Sequence, residues 1–226
     1  MSVAPRQLAL ALAHAESFAR EDFLSGPSNA VALALIDAWP GWPHRTVMLT
    51  GPEGSGKSHL AAIWAQAAGA RLIAARALEE ANVPSALATG ALVVEDVATG
   101  AFDERALFHL LNLAREDEAF VLLTARAAPV TFAIRDLGSR LNAIPVVSMA
   151  APDDALLRAV LVKLFADRQL AVDEGLIGYV AMRIERSFAA ARAAVARLAA
   201  EAMRRKRPLT RALAGEIFNA AGAEEA

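Results

Sequence analysis

Five short apolar runs punctuate the first two-thirds of the chain: 45–50 (RTVMLT), 70–74 (ARLIA), 91–95 (ALVVE), 119–124 (AFVLLT) and 144–149 (IPVVSM). They are rich in Val, Leu and Ile, too short for helices, and separated by helical patterns or turn signals, so they predict strands alternating with helices. Such alternation implies a parallel sheet covered by helices. From Asp153 onward strand signals stop and helical patterns follow near 153–169, 173–185, 187–205 and 210–221. Asp153, Asp173, Ser187 and Thr210 stand where N-caps belong, because a short side-chain oxygen can accept from the first free backbone N–H groups. The expected fold is an α/β base over 17–150, a parallel sheet covered by helices, followed by a small all-helical lid over 151–226.

Composition narrows the function. The chain of 226 residues is 56% hydrophobic and 21% charged, with a formal net charge of −2. It can bury a substantial core, it is not disordered, and it is not a strongly basic nucleic-acid binder, so any DNA contact is expected to be weak or indirect. There is no Cys, and His14, His44, His59 and His109 lack metal-ligand spacing. The apolar stretch 8–13 is followed at once by His14 and Glu16, and Ala81–Val94 is interrupted by Asn82 and Pro84. Neither suits export or a membrane span, so the expected location is cytoplasmic with no membrane partner.

The strongest chemical signal is Gly51-Pro52-Glu53-Gly54-Ser55-Gly56-Lys57-Ser58, followed by His59. It fits G-x-x-x-x-G-K-[S/T] and lies between a predicted strand and a predicted helix, the context a phosphate-binding loop requires. The glycines let backbone N–H groups wrap anionic oxygens, Lys57 neutralises β/γ charge, and the Ser58 hydroxyl can ligate Mg²⁺. The chain has twenty Arg and three Lys, yet places a Lys where a compact ammonium is wanted. Glu95 and Asp96 end the third run: Glu95 is a candidate Mg²⁺ ligand and Asp96 a candidate for orienting an attacking water. An acidic pair after a strand is also a common solvated loop start. ADP or ATP with Mg is the expected ligand set.

Several stretches in order resemble a known family. They are Asp22-Phe-Leu-Ser-Gly-Pro-Ser-Asn29, LTGPEGSGKSHL at 49–60, Phe108-His-Leu-Leu-Asn112, Leu123-Thr124 with Pro129 beyond, and Asp136-Leu-Gly-Ser-Arg140-Leu141. From Phe18 to about Phe218 the chain resembles the AAA+ P-loop NTPase part of the replication initiator DnaA, and more closely its shortened Hda relatives, which inactivate DnaA. In that family the Arg of Ser-Arg-Leu is an arginine finger acting in trans on nucleotide held by a neighbour. The resemblance assigns that role to Arg140. A surface ion pair with Asp136 at i−4 is the alternative.

Residues 7–12, including Gln7, Leu8, Leu10 and Leu12, resemble the sliding-clamp-binding peptide of Hda proteins, so 1–16 is expected to dock on the DNA polymerase III sliding clamp, the β subunit. Packing on its own domain is the alternative. DnaA continues beyond its lid into a DNA-reading domain. The sixteen residues after Thr210 lead to the expectation that origin sequence is not read here, and Arg204-Arg205-Lys206-Arg207 is read as a solvated helix end. Three departures weaken self-catalysed hydrolysis: Ala189 stands where the family has a sensor Arg, Arg126 where it often has an Asp, and Glu95 where it usually has an Asp. Arg186 or Arg192 could substitute. The expected function is therefore an activator of ATP hydrolysis on DnaA with weak ATPase activity of its own. An autonomous helicase-loader-type motor is the alternative, and self-association is left open.

Overall fold

The computed structural model describes residues 19–98, 102–128 and 132–222. The five apolar runs become strands interleaved with helices in chain order. First come α1 (Ala30–Asp37), β1 (Thr46–Thr50), α2 (Lys57–Ala68), β2 (Arg71–Ala74) and α3 (Val83–Leu87). Next are β3 (Ala91–Glu95), α4 (Glu104–Glu116), β4 (Phe120–Ala125), α5 (Arg135–Ala143) and β5 (Val146–Ser148). The strands pair in parallel in the order β2-β3-β4-β1-β5.

Strand periodicity explains why both faces need cover. Met48, Leu92, Val94, Val121 and Leu123 enter one core with α3, α4 and α5. Val47, Leu49, Ala91, Val93 and Leu122 alternate with them and enter a second core against α1 and α2. A run apolar at every position is the mark of a strand buried on both sides. The fifth strand is shorter than the run 144–149 because Ile144 caps α5 and Pro145 has no N–H to donate to the ladder, although its carbonyl accepts from the Met48 N–H at 2.9 Å.

The lid comprises α6 (Asp154–Asp167), α7 (Glu174–Ala181), α8 (Phe188–Arg205) and α9 (Arg211–Gly222), which share a core of Leu157, Leu161, Phe165, Leu176, Val180, Leu198 and Leu213. All four expected caps form. Asp153, Asp173 and Ser187 accept from Leu156, Leu176 and Ala190 at 2.8, 2.7 and 3.0 Å, and the Thr210 hydroxyl from Leu213 at 3.3 Å. The second lid helix stops at Ala181, short of the expected 185, before the bend that leads the chain into the Ser187 cap. Among the described residues no helix is long and apolar enough to cross a membrane.

Candidate nucleotide site

The phosphate loop joins β1 to α2 as the sequence predicts. Gly51, Gly54 and Gly56 all have positive φ, of 151°, 71° and 98°, and the loop needs glycine for two reasons. The left-handed backbone at Gly54 and Gly56 penalises any Cβ. A Cβ at Gly54 would also lie 2.5 Å from the Ser187 Cβ, and one at Gly56 3.3 Å from the Phe188 ring. These neighbours belong to the lid, and the Phe188 N–H donates to the Gly54 carbonyl at 2.9 Å. The start of α8 thus rests directly on the loop.

Lys57 is buried and donates to the Gly51 and Pro52 carbonyls at 2.7 and 2.8 Å. Burial is the largest influence on it and lowers its pKa; Asp96 opposes this, Arg126 adds to it, and Glu53 and Glu95 oppose it more weakly. An ammonium held at a desolvation cost is a cation poised for an anion. Helix α2, moreover, begins at Gly56 with no side-chain cap, as α1, α3 and α5 do at their own starts, whereas α4, α6, α7 and α8 are capped by Asp or Ser. Its first N–H groups, at the positive end of the helix dipole, remain for a ligand.

A cavity of about 570 Å³ opens above these groups. The base contributes Phe23, Leu24, Gly54, Gly56, Lys57, Ser58, His59, Asp96 and Arg126 to it; the lid contributes Val160, Lys163, Leu164, Arg168, Phe188, Ala189 and Arg192. Phe23, Leu24, Val160, Leu164 and Phe188 form an apolar wall beside a cationic floor. Asn29 holds the Phe23–Leu24 segment in place, its side chain donating to the Leu24 carbonyl at 3.0 Å and accepting from the Gly26 N–H at 2.9 Å. Phe23 packs edge-on against His59, with centroids 5.2 Å apart. Lys163 of α6 reaches Asp22 at 2.7 Å, a direct ion pair between lid and base.

Other expected site residues distribute unevenly. Ser58 is exposed at the cavity, while Ser55 lies beneath the loop, its N–H donating to the Pro52 carbonyl at 3.3 Å. Glu53 is exposed and pairs with Arg126 at 2.7 Å. Asp96, with φ of 59°, lines the cavity, and its N–H donates to the Thr124 hydroxyl at 3.2 Å. Glu95 stands just before it, with Oε1 buried and unpartnered. Of the two lid cations considered as substitutes, Arg186 instead pairs with Asp154 at 3.0 Å while Arg192 lines the cavity, as does Ala189. Arg140 is not among the residues lining the cavity. It sits on α5 with its guanidinium 5.1 Å from the Phe108 ring centroid, and among the described residues it forms no ion pair with Asp136. Gln7, Leu8, Leu10 and Leu12 lie outside the described residues. Sequence reasoning missed the α6 wall, Val160, Lys163, Leu164 and Arg168, which has no motif of its own.

The residues fit a nucleoside phosphate and Mg²⁺. A buried Lys, an uncapped helix and a glycine cradle suit phosphate, and the exposed Ser58 hydroxyl at the cavity suits a hard cation, whereas Glu95, with Oε1 buried and unpartnered, is not among the residues that line the cavity. Among the described residues no cluster of three or more His, Asp or Glu could hold a metal alone.

No protein-family model matches the chain, and no curated protein matches it. Solved structures do. Domain III of the replication initiation protein DnaA from Thermotoga maritima superposes with a TM-score of 0.73 at 18% identity, over 89% of this chain and 95% of that one. A variant of Thermotoga maritima RuvB gives 0.72 at 15% identity over 90% and 72%. AMPPCP-bound DnaA from Aquifex aeolicus gives 0.59 at 20% identity over 73% and 60%. DnaA and RuvB match almost equally well, so the likeness does not single out the DnaA branch or its Hda relatives. What these likenesses and the strand order show is that the chain has the fold of the AAA+ domains of DnaA and RuvB: a five-stranded parallel α/β base followed by a helical lid.

Proposed function

We propose that this chain binds ADP or ATP at the base–lid cavity and regulates replication initiation by promoting hydrolysis of ATP held on DnaA. Lys57 and the first N–H groups of α2 bind the phosphates, Ser58 and Glu95 hold Mg²⁺, and Asp96 orients water near the phosphate end. The bound nucleotide supplies the anionic charge that these groups are arranged to meet. The observation that carries the nucleotide reading is a buried Lys57 folded onto its own loop carbonyls beside an uncapped helix start. Since a ligand that binds only the folded state stabilises it by mass action, ADP with Mg²⁺ at a hundred times its Kd is expected to add about 2.7 kcal/mol. For a chain of this size that is a rise of roughly 5–10 °C in melting temperature. An unchanged melting curve at millimolar ADP counts against the reading.

The regulatory half rests on Arg140. It stands on α5 away from the chain's own cavity, where it is available to a neighbouring molecule, and it occupies the Ser-Arg-Leu position of the resemblance. The Gln7–Leu12 peptide would bring the chain to the DNA-loaded sliding clamp. Replacing Gln7 and Leu10 together by Ala removes two anchors and is expected to lower retention on immobilised clamp at least about tenfold; equal retention rules the peptide out as the anchor.

One observation favours the autonomous motor as a second reading: Arg168 and Arg192 supply lid cations at the cavity. Rapid ATP turnover by the purified chain without DnaA or clamp would select it.

A further inference from the structure

Several arginines of the lid are matched by carboxylates: Arg186 pairs with Asp154, and Arg204, Arg205 and Arg207 pair with Glu201 and Glu216. Three others are not. Arg158, Arg183 and Arg211 are exposed, and among the described residues none of them forms an ion pair, although Glu174 and Glu185 are exposed on the same stretch of chain.

The end of α7 gathers these three cations. Arg183 follows Tyr179 by one helical turn and lays its guanidinium on the ring, 3.6 Å from the centroid, while donating to the Tyr179 carbonyl at 3.4 Å. Arg211 stands 5.5 Å from the same centroid. Arg158 reaches from α6 to the adjoining residue, Gly178, where a Cβ would lie 3.2 Å from its Nη1. Glycine thus leaves room for the third guanidinium. The ring face and the C-terminal end of α7 both favour positive charge, but Arg211 opens α9, where the helix dipole disfavours a cation. Stability of the fold therefore does not account for the cluster. None of the three lines the nucleotide cavity.

The chemistry of the patch suits backbone phosphate better than a protein surface. A protein contact centres on aromatic or aliphatic anchors seated in pockets, whereas Tyr179 is already buried and Met182, 72% exposed, is the large apolar side chain left on this turn. Planar guanidinium forks match phosphate oxygens, and phosphates recur along a duplex whatever its sequence. The formal net charge of −2 opposes long-range attraction, so the contact is weak and serves a duplex already held close.

We propose that Arg158, Arg183 and Arg211 form a sequence-independent contact on the lid for the phosphate backbone of duplex DNA. The inference does not depend on the nucleotide reading.

The test is fluorescence anisotropy of a labelled duplex of mixed sequence, titrated with the full chain across a series of salt concentrations. Each phosphate neutralised contributes about −0.9 to the slope of log K against log salt, so three contacts are expected to give about −2.7, with a Kd of about 10⁻⁴–10⁻⁶ M at physiological salt. R158Q, R183Q and R211Q are each expected to reduce the steepness of the slope by about 1, and the triple variant to weaken low-salt binding at least about tenfold. R183K and R211K keep the charge and should keep the slope. The three side chains are exposed, so melting curves of the variants should match the wild type; if the triple variant melts early, the slopes of the single variants decide. No binding by the wild type at low salt, or a slope unchanged in the variants, overturns the assignment. So does displacement of the labelled duplex by polyglutamate of equal charge more readily than by unlabelled duplex, which gives the face to an acidic protein instead.

Discussion

Arg140→Ala is expected to abolish stimulation of DnaA-bound ATP hydrolysis, lowering the stimulated rate by about 10³-fold or more, while this chain's own affinity for ADP stays unchanged. A fixed guanidinium placed against developing phosphoryl charge acts where water is excluded, which is why its loss is so large. The fold makes the experiment clean. Arg140 lies outside the cavity that holds Lys57, and its visible intramolecular contact is with the Phe108 face. Arg140 is half-buried, and such a contact is worth about 0.5–2 kcal/mol, too little to unfold the domain. Arg140→Lys keeps the charge but loses the planar fork, so only partial stimulation should remain. The measurement is phosphate release from DnaA-ATP with clamp, DNA and each variant. Stimulation at the wild-type level by Arg140→Ala removes the finger assignment.

Lys57→Met is expected to weaken ADP and AMPPCP alike, by up to about a hundredfold, because a charge-assisted hydrogen bond to phosphate contributes roughly 1.5–3 kcal/mol. Methionine retains an unbranched stem in the buried channel while removing the ammonium. The nucleotide-dependent rise in melting temperature should vanish with it. The pH dependence of the wild type follows from the same side chain. Burial depresses the Lys57 pKa below the ordinary lysine range, so the unfolded chain keeps this proton to a higher pH than the folded one. Without ligand, the penalty is therefore fully present below the folded pKa and disappears as pH rises through the unfolded value. Affinity for nucleotide runs the other way: it is greatest with Lys57 protonated and falls as pH passes its lowered pKa. Titrations from neutral to alkaline pH test this, and Lys57→Met should lose that part of the profile.

The site was legible where chemistry is local and obscure where it is not. Gly51–Ser58 could be read from spacing because its requirements, positive φ, an ammonium and a helix start, concern consecutive residues. The lid caps at Asp153, Asp173, Ser187 and Thr210 were legible for the same reason: each bonds to an N–H three residues on. The cavity wall of Val160, Leu164 and Arg168 was not, because a helical period says which residues share a face and nothing about what that face meets. Arg186 and Arg192 looked interchangeable in sequence. Arg186 precedes the Ser187 cap and pairs outward with Asp154, whereas Arg192 lies within α8 on the turn that follows the loop contact.

By itself, then, the sequence determined the alternation of strands and helices, the helical lid with its caps, and the phosphate loop. All are short-range consequences of side-chain period and backbone preference. Only the tertiary structure decided the strand order β2-β3-β4-β1-β5, the seating of Phe188 on Gly54, the pairing of Arg126 with Glu53 and the separation of Arg140 from its own cavity. Those depend on which buried faces meet across scores of residues, and that is settled by packing the whole chain at once.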